Sequence, residues 1–85
     1  IDVLVRDKFA PLKEHLAAAA VRGEQLVAMD ILDVDQMVGG LPATAYTAKK
    51  WWANGGSAQA RAWHAAGWRV DAVGFYQKRV VFART

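Results

Sequence analysis

The sequence predicts an α+β fold in which a helix, a strand and three further helices are followed by a β-hairpin. Apolar residues recur every three to four positions early in the chain, glycine pairs divide its middle into short helical segments, and two strand-like segments flank a turn near the C-terminus. This is the order of a winged helix-turn-helix. Many small α+β domains share it, so a plain sandwich of helices on a three-stranded sheet is an equal alternative.

The length and composition of the chain predict one folded domain. The chain has 85 residues, of which 54% are hydrophobic and 22% charged, as expected for a single globular core. We expect residues 8–84 to form the core domain and residues 1–7 to be a linker or a short strand. The start at Ile1 rather than Met suggests a piece of a longer protein. No apolar run approaches the roughly 20 residues of a membrane span. The absence of cysteine fits a cytoplasmic setting, which we expect for this protein.

The first helix is predicted to begin near Lys8, with Pro11 in its first turn, where a missing backbone N–H is tolerated. Gly23 ends this helix, and residues 25–29 read as a short strand. The helix residues predicted to face the core recur at helical spacing and are Phe9, Leu12, Leu16 and Ala20.

The second helix is predicted to follow Asp30, which is placed as its N-cap, and to end at Gly39-Gly40. A third helix is predicted over residues 45–53, with Thr44 as its N-cap. Asn54 is predicted to end that helix, because asparagine tolerates the left-handed backbone conformation before a glycine pair.

Ser57 is the predicted N-cap of a fourth helix over residues 58–66, with Gly67 after its last turn. The hairpin strands are predicted over residues 68–75 and 79–83. One face of the first strand should carry Trp68, Val70 and Ala72, and the opposite face Arg69, Asp71 and Val73.

Charge is distributed unevenly along the chain. Residues 1–40 contain four cations and seven anions, a net charge of −3, whereas residues 41–85 contain seven cations and one anion, a net charge of +6. Such an asymmetry favours an anionic partner for the second half, although a small basic surface can also serve solubility alone.

Several short motifs are specific in combination: L-P-x-T-A from Leu41, W-W-x-N from Trp51, and A-W-x-x-A-G-W-x-V from Ala62. With the flanking K-F-x-P-L-x-x-x-L and V-x-F-x-R segments, the chain resembles an uncharacterised small domain family of bacteria and their phages from Lys8 to Arg84. Thr44 stands where that family tends to have serine, a conservative exchange of N-cap residues. The resemblance implies a stable domain and an association with DNA-handling proteins, and it implies no particular chemistry.

The predicted function is double-stranded DNA binding, by a module acting alone or as the targeting part of a larger protein. Cations would contact phosphates, an exposed tryptophan would stack on a base or sugar, and an asparagine would bond an adenine edge. The candidate residues are Lys49, Lys50, Trp51, Asn54, Arg61, Arg69, Lys78 and Arg79. In the alternative, purely structural interpretation, the cations lie on solvated surfaces and the tryptophans fill the core.

The second predicted function is protein–protein interaction or self-association, through an exposed tryptophan and an alanine-lined groove. An enzyme is not expected, because no cluster suits acid–base or nucleophilic work. Without cysteine, disulfides and thiolate metal sites are excluded, and His15 and His64 lie on different predicted helices. We therefore predict no metal and no cofactor.

Overall fold

The computed structural model describes residues 8–85, and the linker or strand predicted over residues 1–7 lies outside that range. The described part contains three α-helices, two 3₁₀ turns and three strands, which confirms the α+β class. In chain order they are α1 (Ala10–Val21), β1 (Leu26–Asp30), α2 (Ile31–Val38), the first 3₁₀ turn (Ala43–Tyr46), the second 3₁₀ turn (Lys49–Trp52), α3 (Ala58–Ala65), β2 (Trp68–Gly74) and β3 (Arg79–Arg84).

Helix α1 packs along one face as its spacing predicts. Leu12 and Leu16 are fully buried, but the next buried position is Ala19, while the predicted Ala20 is only half-buried. The helix ends before Gly23, whose φ of +83° is readily reached only by glycine. This end lets the chain reverse into β1.

One predicted helix is wrong. Residues 45–53 form no continuous helix but parts of two 3₁₀ turns, separated at Ala48, whose backbone is extended (φ −122°, ψ 119°). The indole N–H of Trp52 donates to the carbonyl of Ala45 at 2.8 Å, whereas an unbroken helix would separate these residues by about 10 Å along its axis. Burial of this tryptophan outweighs the local helix propensity. Thr44 accordingly lies inside the first turn rather than at an N-cap.

The three strands form an antiparallel sheet in the order β1-β3-β2. The hairpin prediction holds, but a bulge between Val70 and Ala72 adds Asp71 as an extra residue. Beyond the bulge the faces exchange: Ala72 is exposed, and Val73 is half-buried opposite the buried Val80. The predicted alternation past Val70 is therefore wrong.

The core lies between the helices and one face of the sheet. Trp52 and Trp63 stack with ring centroids 6.0 Å apart, and Trp63 meets Phe82 edge-on at 5.6 Å. Trp68 is fully buried and donates its indole N–H to the carbonyl of Leu16 at 2.8 Å, which joins α1 to β2. Each of these three indoles has a hydrogen-bond partner, as burial of a polar N–H requires.

Candidate nucleic-acid interface

Four of the predicted contact residues are exposed cations that make no ion pair within residues 8–85. They are Lys49, Lys50, Arg61 and Lys78. An unpaired exposed cation can bind a phosphate without first giving up a carboxylate partner. These four therefore form the core of the candidate site.

The second 3₁₀ turn holds Lys49 and Lys50 on a rigid base. Its Trp52 is 2% exposed, and its Trp51 is half-buried, meeting Phe9 edge-on at 6.1 Å between ring centroids. The side-chain amide of Gln59 donates to the carbonyl of Trp51 at 2.9 Å. The turn is thus tied to α1 and α3, and Trp51 is a packing residue rather than a freely exposed stacking platform.

Asn54 connects the 3₁₀ segment to β2 and to the core. Its Nδ2 donates to the carbonyl of Val70 at 2.8 Å, and its Oδ1 accepts from the backbone N–H of Val70 at 2.8 Å and from the indole of Trp63 at 3.0 Å. In residues 8–85 the only non-glycine residue with positive φ is Lys78, so the predicted left-handed conformation of Asn54 is wrong. Both acceptor positions of the amide oxygen are used within the fold, so the side chain does not offer the free oxygen and N–H that a bidentate bond to an adenine edge needs.

Helix α3 presents Arg61 on its outer side. Its predicted N-cap is confirmed, because the Ser57 hydroxyl accepts from the N–H of Ala60 at 3.2 Å. The exposed positions Ala58, Arg61 and Ala65 follow each other at spacings of three and four residues and therefore share one stripe. One long cation between two small side chains can approach a surface closely.

The two candidate arginines of the hairpin are each paired with a carboxylate. Arg69 lies 3.3 Å from Asp71, and Arg79 lies 3.3 Å from Asp30 of the acidic first half. Each of these side chains is about half exposed, so each pair contributes little to stability, roughly 0–1 kcal/mol. Both arginines occupy sheet positions opposite to the helix-covered face.

The hairpin tip carries a side chain that sequence reasoning overlooked. Tyr76 is 95% exposed and lies two residues before Lys78. Its position in the predicted turn between the two strands is the sequence feature that could have indicated this exposure. The carbonyl of Lys78 accepts from the N–H of Ile31 at 2.8 Å, so the tip is fixed to the start of α2. It lies beyond Gly74, roughly 13 Å along β2 from the point where Asn54 meets Val70.

Comparison with protein families identifies the chain. Residues 9–85 match the model of a family described as a domain of unknown function, DUF7662. The chain belongs to the DUF7662 family. No curated protein and no solved structure matches it.

In this DUF7662 domain, the W-W-x-N and A-W-x-x-A-G-W-x-V motifs supply the tryptophan network and Asn54, and they therefore serve packing. His64 belongs to the same network: Nδ1 lies 3.2 Å from the carbonyl of Trp68, and Nε2 lies 3.3 Å from that of Asn54. Within residues 8–85 no three His, Cys, Asp or Glu side chains gather as a metal site would require.

A second polar link fixes the segment between α2 and the first 3₁₀ turn. One carboxylate oxygen of Asp35 accepts from the hydroxyl of Tyr46 at 2.7 Å and from the N–H of Leu41 at 3.2 Å. The hydrogen bond to Asp35 raises the pKa of Tyr46 above its ordinary value of 10.0, and partial burial and the negative charge of Asp35 add to the rise.

Among the described residues no helix has the length and apolarity to cross a bilayer.

Proposed function

We propose that this DUF7662 domain binds double-stranded DNA as a module of winged-helix type. The observation that carries the proposal is topological: a helix, a strand and two helices precede a hairpin, and the first strand pairs with the last in the order β1-β3-β2. Winged helix-turn-helix domains share this arrangement, with the two 3₁₀ turns here filling the connection between α2 and α3. In such domains the helix before the hairpin enters the major groove.

The proposed recognition element is α3, with Arg61 as the residue that meets base edges. An arginine bonds the O6 and N7 atoms of guanine in a bidentate manner, and alanine methyls suit close contact with a thymine methyl. The exposed Ala58 and Ala65 flank Arg61 on the same stripe. Phosphate contacts would come from Lys49 and Lys50 on one side and from Lys78 at the hairpin tip.

Trp51, Asn54, Arg69 and Arg79 have no part in the proposed contact set. The first two side chains pack or bond within the fold, and the two arginines are paired with carboxylates. The proposal therefore depends on the four exposed, unpaired cations and on the orientation of α3.

The test is titration of a short fluorescent DNA duplex by anisotropy between about 50 and 200 mM salt. Each neutralised phosphate contributes roughly 0.9 to the log–log salt slope, so the three lysine contacts predict a slope of roughly 2.7. The double variant Lys49→Ala/Lys50→Ala should lower that slope by about 2. The matched control, Lys13→Ala/Arg22→Ala, removes the same charge from α1 and its end and should leave most of the slope intact.

Absence of binding at low salt, or binding that does not respond to salt, would refute the proposal. Equal losses in the two double variants would assign the effect to net charge and not to the second 3₁₀ turn. Arg61→Ala should weaken discrimination between guanine-containing and guanine-free duplexes, whereas the lysine variant should weaken both equally.

A further inference from the structure

Strand β1 has an open edge within the part of the chain that the structure describes. Two antiparallel bonds set its alternation: Arg84 N–H donates to the carbonyl of Gln25 at 3.0 Å, and Ile31 N–H donates to that of Lys78 at 2.8 Å. In an antiparallel pair, every second residue exchanges bonds with its neighbour and the residues between point away. The N–H and C=O groups of Leu26 and Ala28 therefore face outward, and nothing in residues 8–85 bonds to them on that side.

The opposite edge of the sheet is protected. The side chain of Asn54 bonds both backbone groups of Val70, and the bulge at Asp71 twists β2 away from regular pairing. Proteins protect sheet edges in this way because an open edge binds other strands. Strand β1 instead presents Leu26, which is 61% exposed, and the small exposed Ala28.

A cleft of about 410 Å³ lies beside β1, between α1 and α2. Its apolar wall is formed by Met29 and Met37, and its polar side chains are His15, Asp30, Asp33 and Arg79. Asp30 and Arg79 are paired with each other at 3.3 Å, which leaves Asp33 as the carboxylate without an ion pair among the described residues. Asp33 and Met37 are four residues apart on α2 and so face the same way. The Asp33 carboxylate is exposed and makes no ion pair within residues 8–85.

We propose that the β1 edge binds an extended segment of a partner protein that carries an arginine or lysine. The partner would add a strand beside β1, and its alternate side chains would point toward the helices. One of them would enter the cleft, with its aliphatic stem on Met29 and Met37 and its cationic head at Asp33. The first forty residues carry a net charge of −3, which favours a basic segment over an acidic one.

This protein-binding edge is independent of the proposed DNA contact. The free cations of that contact lie on the second 3₁₀ turn, α3 and the hairpin tip, whereas the edge and its cleft are formed by β1 with α1, α2 and Arg79 at the start of β3. The two proposed contacts therefore use different residues, and they come nearest to each other at the hairpin tip, where Arg79 follows Lys78. Failure of either proposal leaves the other standing.

The experiment uses the full chain and two labelled peptides, Thr-Val-Thr-Arg-Thr-Val-Thr and the same peptide with a central glutamate. The arginine peptide should bind at least roughly tenfold more tightly than the glutamate peptide, about 1.4 kcal/mol in binding free energy. The amides of Leu26 and Ala28 should exchange rapidly with solvent in the free protein, and binding should slow their exchange. Asp33→Lys should reverse the peptide preference, while the matched charge reversal Asp71→Lys on the distant hairpin should leave it unchanged.

Several results would overturn the proposal. Equal affinity for both peptides would remove the role of the carboxylate, and exchange protection confined to other elements would remove the role of the edge. Protection of the Leu26 and Ala28 amides in the absence of peptide would also contradict the proposal, because the edge would then already be occupied. Sedimentation distinguishes the two possible occupants: self-association indicates a second copy, and a monomer indicates the chain's own residues. Asp33→Asn, a milder change, repeats the test if Asp33→Lys fails to fold, and it should weaken binding of the arginine peptide alone.

Discussion

Replacement of Asn54 by alanine tests whether one side chain joins the 3₁₀ segment to the sheet. The substitution removes three hydrogen bonds, two with the backbone of Val70 and one from the indole of Trp63. Trp63 is 0% exposed, so its N–H would lose its partner without gaining water, a penalty of about 1–3 kcal/mol. Val70 lies on an edge strand, where water can replace part of the loss, so each of its bonds contributes about 0.5–1 kcal/mol.

The expected decrease in the free energy of unfolding is about 3 kcal/mol, measured by urea denaturation followed by far-UV circular dichroism. For a domain of this size it corresponds to a lowering of Tm by roughly 12–24 °C. The matched control is Gln59→Ala, which removes one half-buried amide bond to Trp51 and should lower stability by only about 1 kcal/mol.

A loss below about 1 kcal/mol for Asn54→Ala, or one no larger than that of Gln59→Ala, would refute this account of the junction. Asn54→Asp provides a second check. It retains an oxygen that accepts from Val70 and Trp63 but sets an anionic oxygen against the carbonyl of Val70. Its instability should therefore shrink as pH falls, because a protonated carboxyl can donate to that carbonyl again.

Two further substitutions test local features. Tyr46→Phe removes the bond to Asp35 and should lower stability at neutral pH by about 1 kcal/mol. Because folding raises the pKa of Tyr46, its contribution to the free energy of unfolding is fully present below the unfolded pKa near 10 and is lost as pH rises through the folded pKa. In urea titrations at alkaline pH, the phenylalanine variant should lack this decrease in stability. Gly67→Ala should destabilise the domain by about 1–2 kcal/mol through its φ of +88°, although no atom lies within 4 Å of the added methyl. The control is Gly55→Ala, where φ is not in the left-handed region and the space around the added methyl is equally free, so thermal unfolding should show no loss of stability. An equal loss of stability in both variants would contradict the conformational explanation.

Features set by a few neighbouring residues could be predicted from the sequence. The sequence places Gly23, Gly39 and Gly67 at helix ends, and all three have φ between +81° and +88°, a conformation that glycine adopts without strain. Ser57 is equally local, because its hydroxyl needs only the N–H three residues later. The strand boundaries followed from alternation and turn residues in the same way.

Features that depend on distant partners could not be predicted. The 3₁₀ segment is shaped by packing of Trp51 on Phe9, 42 positions earlier in the numbering, and no local pattern reports that contact. The pairing of Arg79 with Asp30 follows from the β1–β3 register, which the sequence does not fix. The role of Asn54 likewise depends on Val70, 16 residues away.

The lysines of the candidate DNA site are held in place by contacts that also stabilise the core. Binding can therefore be weakened in two distinguishable ways, by removing the charge of the lysines or by loosening the turn that carries them. Lys49 and Lys50 stand on a turn held by tryptophan packing and bonded through Asn54 to β2. At a temperature where Asn54→Ala remains folded, the lysines keep their charge but lose part of their fixed placement. Affinity for the duplex should then fall because flexible side chains lose more entropy on binding, while the salt slope falls less than in the lysine variant, where charge itself is removed. Unchanged affinity in folded Asn54→Ala would mean that the junction does not position these lysines for DNA.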